Sequence, residues 1–96
     1  MTRREIIDNL RNLREEASRN YKAEILGIFG SYARDDHRAG SDLDVLVRFK
    51  KGASLFELSG LTEYLEEKLN IKVDVLSEKA IRSEIRDKIL SDTVYL

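Results

Sequence analysis

The sequence predicts an α/β (α+β) domain: a mixed β-sheet of three to four strands with helices packed mainly on one face. Three observations predict it. Apolar residues recur every three to four positions near both ends of the chain and in its middle. The segment Asp42–Phe49 alternates with a period of two. These patterns interleave in the order helix, strand, strand, helix, strand, helix, as layered folds require.

The first helix follows Thr2, which stands three residues before Glu5 in a capping box. Ile6, Leu10, Leu13 and Ala17 then form one stripe, separated by Arg11, Asn12, Arg14, Glu15 and Glu16. Ile25, Leu26, Ile28 and Phe29 make a short apolar run closed by Gly30, which fits a strand buried on both faces. Gly30-Ser31 begins a turn, Tyr32–Asp36 a brief helical turn, and His37–Ser41 an exposed loop around Gly40. In the next strand Leu43, Val45, Val47 and Phe49 alternate with Asp42, Asp44, Leu46 and Arg48, up to Lys50-Lys51-Gly52. Ser54 and Glu57 form a second capping box, followed by the stripe Leu58, Leu61, Leu65 and Leu69. Gly60 is a weak point in that helix, costing about 1 kcal/mol against alanine. A third strand spans Ile71–Leu76, and a third helix opens at Ser77 or Glu78 with Ile81, Ile85 and Ile89. Thr93–Leu96 is β-prone and suits a sheet edge or a partner.

Composition narrows the chemistry. Ninety-six residues, 42% of them hydrophobic, are read as one domain over 1–96. Seventeen basic and eighteen acidic residues leave a formal net charge of -1, which argues against nucleic acid as a partner. Phosphate binding must then come from a local site. The chain has no cysteine and one histidine, so thiolate zinc sites, a cysteine nucleophile and multi-histidine sites are excluded. No apolar run approaches the ~20 residues that span a bilayer, and the charged start is unlike a secretory signal, so a cytoplasmic location is expected.

The chemical signal is Asp42-Leu43-Asp44. Residues two apart in a strand share a face, so two carboxylates project together, their Cα atoms about 6.5–7 Å apart. Such a pair needs a counter-charge, and Mg²⁺ takes carboxylates, water and substrate phosphates as ligands. Asp74, on a separate strand, is the third candidate. Three carboxylates on neighbouring strands suit two cations that clamp the attacking and leaving oxygens of an in-line displacement. Gly30-Ser31 supplies a turn with free amides and a hydroxyl for phosphate.

Gly30-Ser31-Tyr32-Ala33-Arg34, Ser41-Asp42-Leu43-Asp44 and Val73-Asp74-Val75 together resemble the polymerase-beta-like nucleotidyltransferases, in particular the minimal nucleotidyltransferases. The resemblance implies that Gly30 and Ser31, with Arg34 and Ser41, bind the nucleoside triphosphate, and that Asp42, Asp44 and Asp74 are catalytic and hold two Mg²⁺ ions. It implies AMP transfer from ATP to a hydroxyl, in some members a tyrosine of a HEPN-domain toxin, with the nucleotidyltransferase as antitoxin. Without room for an acceptor domain, a partner protein or second copy is expected to complete the cleft. The alternative is a catalytically idle module that neutralises a partner by association. One departure is visible: Asp35-Asp36 follow Arg34, where the family often has glycine. Arg48 shares the predicted face of Asp42 and Asp44, but it is read as surface rather than site, as are Arg34 and Arg38 taken singly.

Overall fold

A computed structural model describes residues 1–96. The first helix, α1 (Arg3–Tyr21), starts from the expected capping box. Thr2 Oγ1 accepts from the Glu5 amide at 3.1 Å, and Glu5 Oε1 accepts from the Thr2 amide at 2.9 Å. Lys22 ends the helix with φ 51° and turns the chain into β1 (Ala23–Phe29). A five-residue helix, α2 (Gly30–Arg34), follows directly, and a loop leads to β2 (Leu43–Phe49). The second capping box, Ser54 with Glu57, opens α3 (Leu55–Leu69). Then come β3 (Val73–Ser77), a single 3₁₀ turn (Glu78–Ala80), α4 (Ser83–Asp92) and a short β4 (Val94–Tyr95).

The four strands form one mixed sheet in the order β3-β2-β1-β4. β1 runs antiparallel to both β2 and β4, while β2 and β3 are parallel. The β-prone C-terminus is therefore a sheet edge. Gly27 makes this edge possible, because a Cβ there would collide with the Val94 carbonyl oxygen. A bulge between Ile25 and Gly27 shifts the β1 register, which brings Phe29 opposite Asp44.

One face of the sheet carries the main core. Leu43, Val45 and Val47 of β2 join Ile25, Ile28 and Val73 beneath Ile6, Leu10 and Ala17 of α1 and Leu61, Leu65 and Leu69 of α3. The two helices also meet through Tyr64, which donates to Glu16 at 2.5 Å and lies against Tyr21, ring centroids 5.2 Å apart. Gly60 is explained here: a Cβ would press on the Tyr21 ring, so its helix-propensity cost permits close helix packing.

Three sequence expectations are corrected. Asp42 lies just outside β2, and β3 begins at Val73 rather than Ile71. Ser77 makes no side-chain cap, so only a 3₁₀ turn forms before Ile81 is buried, and α4 starts at Ser83. Leu46, in the same row as Asp44 and Arg48, is fully buried outside the main core cluster, on the second face of the sheet.

Candidate functional site

The site residues gather at one end of the second face. In the parallel pair, Asp44 stands directly opposite Asp74, so both carboxylates leave the sheet on the same side. In the antiparallel pair, Asp44 faces Phe29, the last residue before Gly30-Ser31. Gly30 has φ +72°, a conformation that disfavours a side chain, and a Cβ there would collide with Asp44 Oδ2. The Gly-Ser turn and the central carboxylate are thus packed against each other by backbone geometry.

Electrostatics mark Asp44 as the centre. Its carboxyl is pushed up to about 6, first by burial, then by the charges of Asp74 and Asp42, with Arg34 acting in the opposite sense. Asp44 is half-buried, whereas Asp42 and Asp74 are exposed. The three carboxylates do not close into a ready cage; no three acidic or histidine side chains are gathered that tightly. The donor set nevertheless fits a hard divalent cation. It is all oxygen, and Arg34 only partly offsets the charge gathered around its central member. Asp42, Asp44 and Asp74 are the residues that would hold such an ion.

The remaining candidates have distinct positions. Ser31 lies in the first turn of α2, which is too short for a substantial helix dipole, so the phosphate chemistry available is its hydroxyl and the free amides. Arg34 is exposed, pairs with Asp36 at 3.3 Å, and is near enough to Asp44 to act on its charge. That pair also answers the departure at Asp35-Asp36. Asp36 meets a cation, and Asp35 caps α2 with φ 62°, a left-handed position natural for glycine, with its side chain exposed. Ser41 Oγ accepts from the Arg38 amide at 2.9 Å, so it builds the turn before Asp42. Arg48, although on the same face, is committed elsewhere: it pairs with Glu78 at 2.6 Å and Glu24 at 3.2 Å.

Some neighbours of the site were not singled out from sequence. Lys72 accepts the Leu43 amide on its carbonyl at 2.8 Å and, with Asn70, Ile71, Tyr32, Gly40 and Ser41, lines a hollow of about 270 Å³. Only the closeness of Lys72 to Asp74 in the chain hinted at this. His37, expected to be exposed, is half-buried and stacks on Tyr32 with centroids 3.9 Å apart. A larger hollow of about 470 Å³ lies by the β4 edge, lined by Arg3, Arg4, Ile7, Arg11, Val94 and Tyr95, without any of the three aspartates.

A mixed sheet that presents facing aspartates beside a Gly-Ser turn is the frame of a nucleotidyl-transferring enzyme, and residues 10–96 match the family model described as nucleotidyltransferase domain. The chain belongs to that family and is a nucleotidyltransferase. Among its relatives is the protein adenylyltransferase MntA of Thermococcus cleftensis, 33% identical over 96 residues, covering 100% of this chain and 97% of that one. The MJ0126 protein of Methanocaldococcus jannaschii is 36% identical over 93 residues, covering 96% and 95% of the two chains. A solved structure named as a minimal nucleotidyltransferase superposes with a TM-score of 0.78 at 32% identity, covering 100% of this chain and 97% of that chain. A toxin–antitoxin structure with AMP-PNP shares the fold at 19% identity, with a TM-score of 0.71 over 88% of this chain and 69% of that chain. No helix is long and apolar enough to cross a membrane.

Proposed function

We propose that this nucleotidyltransferase is a Mg²⁺-dependent protein adenylyltransferase that moves AMP from ATP to a tyrosine of a HEPN toxin, and so acts as its antitoxin. The reading rests on one observation: the turn at Gly30 lies directly against Asp44, which in turn faces Asp74 across two parallel strands. The name of the T. cleftensis relative supports protein adenylylation. The likeness to the MntA–HepT toxin–antitoxin structures, at 17–19% identity, supports the fold in which that pairing occurs.

In this reading Ser31 and the amides of its turn bind the β- and γ-phosphates, while Arg34 and Ser41 border the nucleotide. Asp42, Asp44 and Asp74 would hold the divalent ions, which would supply charge neutralisation at the phosphates of the nucleotide. The acceptor hydroxyl sits beside Asp74 and attacks the α-phosphorus in line. The new O–P bond forms as the bond to the β-phosphate oxygen breaks, pyrophosphate leaves, and Asp74 takes the hydroxyl proton. Positioning and charge neutralisation supply most of the acceleration. The exposed edge of the site, at Asp42 and Asp74, suits an acceptor presented by another protein.

The test is transfer of label from α-labelled ATP to a HEPN-domain toxin supplied as acceptor, with Mg²⁺. Wild type should label it, and Asp44→Ala should lower transfer at least ~100-fold, the scale of losing one group that stabilises transition-state charge. Equal neutralisation of the toxin by both proteins, with no label moved, would establish the idle binding module instead.

A further inference from the structure

The loop between the Gly-Ser turn and Asp42 is held in its middle by a single side chain. Residues 35–40 leave the end of α2 and return to β2, and all are exposed except His37. At its start, the loop is tied to α2 by the Asp35 amide donating to the Tyr32 carbonyl at 3.2 Å and the Asp36 amide to the Ser31 carbonyl at 3.0 Å. At its end, Arg38 and Ser41 close a reciprocal turn, with the Ser41 amide on the Arg38 carbonyl and the Arg38 amide on Ser41 Oγ, both at 2.9 Å. The Leu43 amide then docks on the Lys72 carbonyl at 2.8 Å. Between those two tied ends stands the His37 ring, stacked on Tyr32 with planes 14° apart. Tyr32 is itself a buried member of the main core and the immediate neighbour of Ser31. His37 Nδ1 is enclosed without a hydrogen-bond partner. A nitrogen left unpaired in this way costs free energy, so the stack on Tyr32 is the favourable contact the ring makes here.

We propose that His37 is a positioning residue: its stack on Tyr32 clasps the loop that carries Asp42 to the helix that carries Ser31, and thereby sets the spacing of the two halves of the nucleotide site. The inference rests on the reading that both halves bind one Mg²⁺–nucleotide. The imidazole acts through its face and does not touch the reacting atoms. A carbocyclic ring should therefore replace it, and a small side chain should not. An aromatic pair contributes enough to change affinity about two- to tenfold when it is lost.

The experiment compares wild type, His37→Ala and His37→Phe by calorimetric titration with Mg²⁺–AMP-PNP and by amide hydrogen exchange. His37→Ala should weaken AMP-PNP binding about two- to tenfold and speed exchange at the amides of residues 38–43, while α1 and β1 stay protected. His37→Phe should return both measurements to within about twofold of wild type. The clasp is overturned if His37→Ala matches wild type in both, or if His37→Phe is as defective as His37→Ala. Should His37→Ala lose its cooperative thermal transition, His37→Leu takes its place, with the same expectations. A wild-type protein that does not bind Mg²⁺–AMP-PNP would defeat the nucleotide reading, and the exchange data alone would then decide whether the clasp exists.

Discussion

The two faces of the sheet are built from the same strands and solve opposite problems. On one, Leu43, Val45 and Val47 disappear under α1 and α3 into a core of seventeen buried residues. On the other, the alternate residues Asp44 and Arg48 point to a face only partly covered, with Leu46 buried between them. The first face is stabilised by apolar burial, at about 25 cal/mol per Å² removed from water. The second gathers like charges: the Asp44 carboxyl is raised to about 6, first by burial and then by the charges of Asp74 and Asp42. Even its arginine is spent on Glu24 and Glu78 rather than on the aspartates. The contrast shows where this small fold tolerates local instability: at the site, on a strand whose other side is firmly packed.

Breaking the packed face should have the largest effect on stability. Leu65 is fully buried in the core, and Leu65→Ala should cost about 3 kcal/mol, read as a lowered denaturant midpoint. Nucleotide affinity per folded molecule should change little, since the damage lies across the sheet from the aspartates.

Disturbing the junction between the faces comes next. Gly30→Ala must place a Cβ at φ +72° and into Asp44 Oδ2. It should cost about 1–2 kcal/mol in unfolding and weaken Mg²⁺–AMP-PNP binding more than tenfold, because the turn and the central carboxylate are forced apart.

The smallest stability change sharpens the comparison, because it should go the other way. A carboxyl with its folded pKa raised from 3.8 to about 6 holds its proton more tightly in the folded state. Its contribution is therefore fully present below about pH 4 and is lost as pH rises through 6. The full shift corresponds to about 3 kcal/mol, and solvent screening of this half-exposed group reduces that to about 1 kcal/mol. Asp44→Asn should thus be more stable than wild type at pH 7 by about 1 kcal/mol, with the difference vanishing near pH 4. Added Mg²⁺ should stabilise wild type and leave Asp44→Asn unchanged. Thermal unfolding of both proteins from pH 4 to 8 checks each point.

Much of the site was legible because its signals are local. Gly30-Ser31, the alternation around Asp44, and Asp74 between two valines each declare a turn or a strand face within a few residues. The two capping boxes are equally short-range, and both formed as read. Other features depended on contacts that only the folded chain makes. Arg48, read as surface on the face of the aspartates, is held there by Glu78, thirty positions along the chain. Gly60 looked like a flaw until Tyr21 was packed on it. Leu46, in the row of the aspartates, is buried on the second face, and His37, read as exposed, meets the Tyr32 ring.

The sequence by itself therefore determined the helices and strands, their apolar stripes, and which short motifs carry acid or phosphate-binding character, because periodicity and capping act over one or two turns of chain. Only the tertiary structure decided the strand order β3-β2-β1-β4, the register that sets Asp44 opposite Asp74, and the bulge that aims the Gly-Ser turn at them. Those depend on non-local backbone pairing, where a one-residue slip would turn every carboxylate to the opposite face.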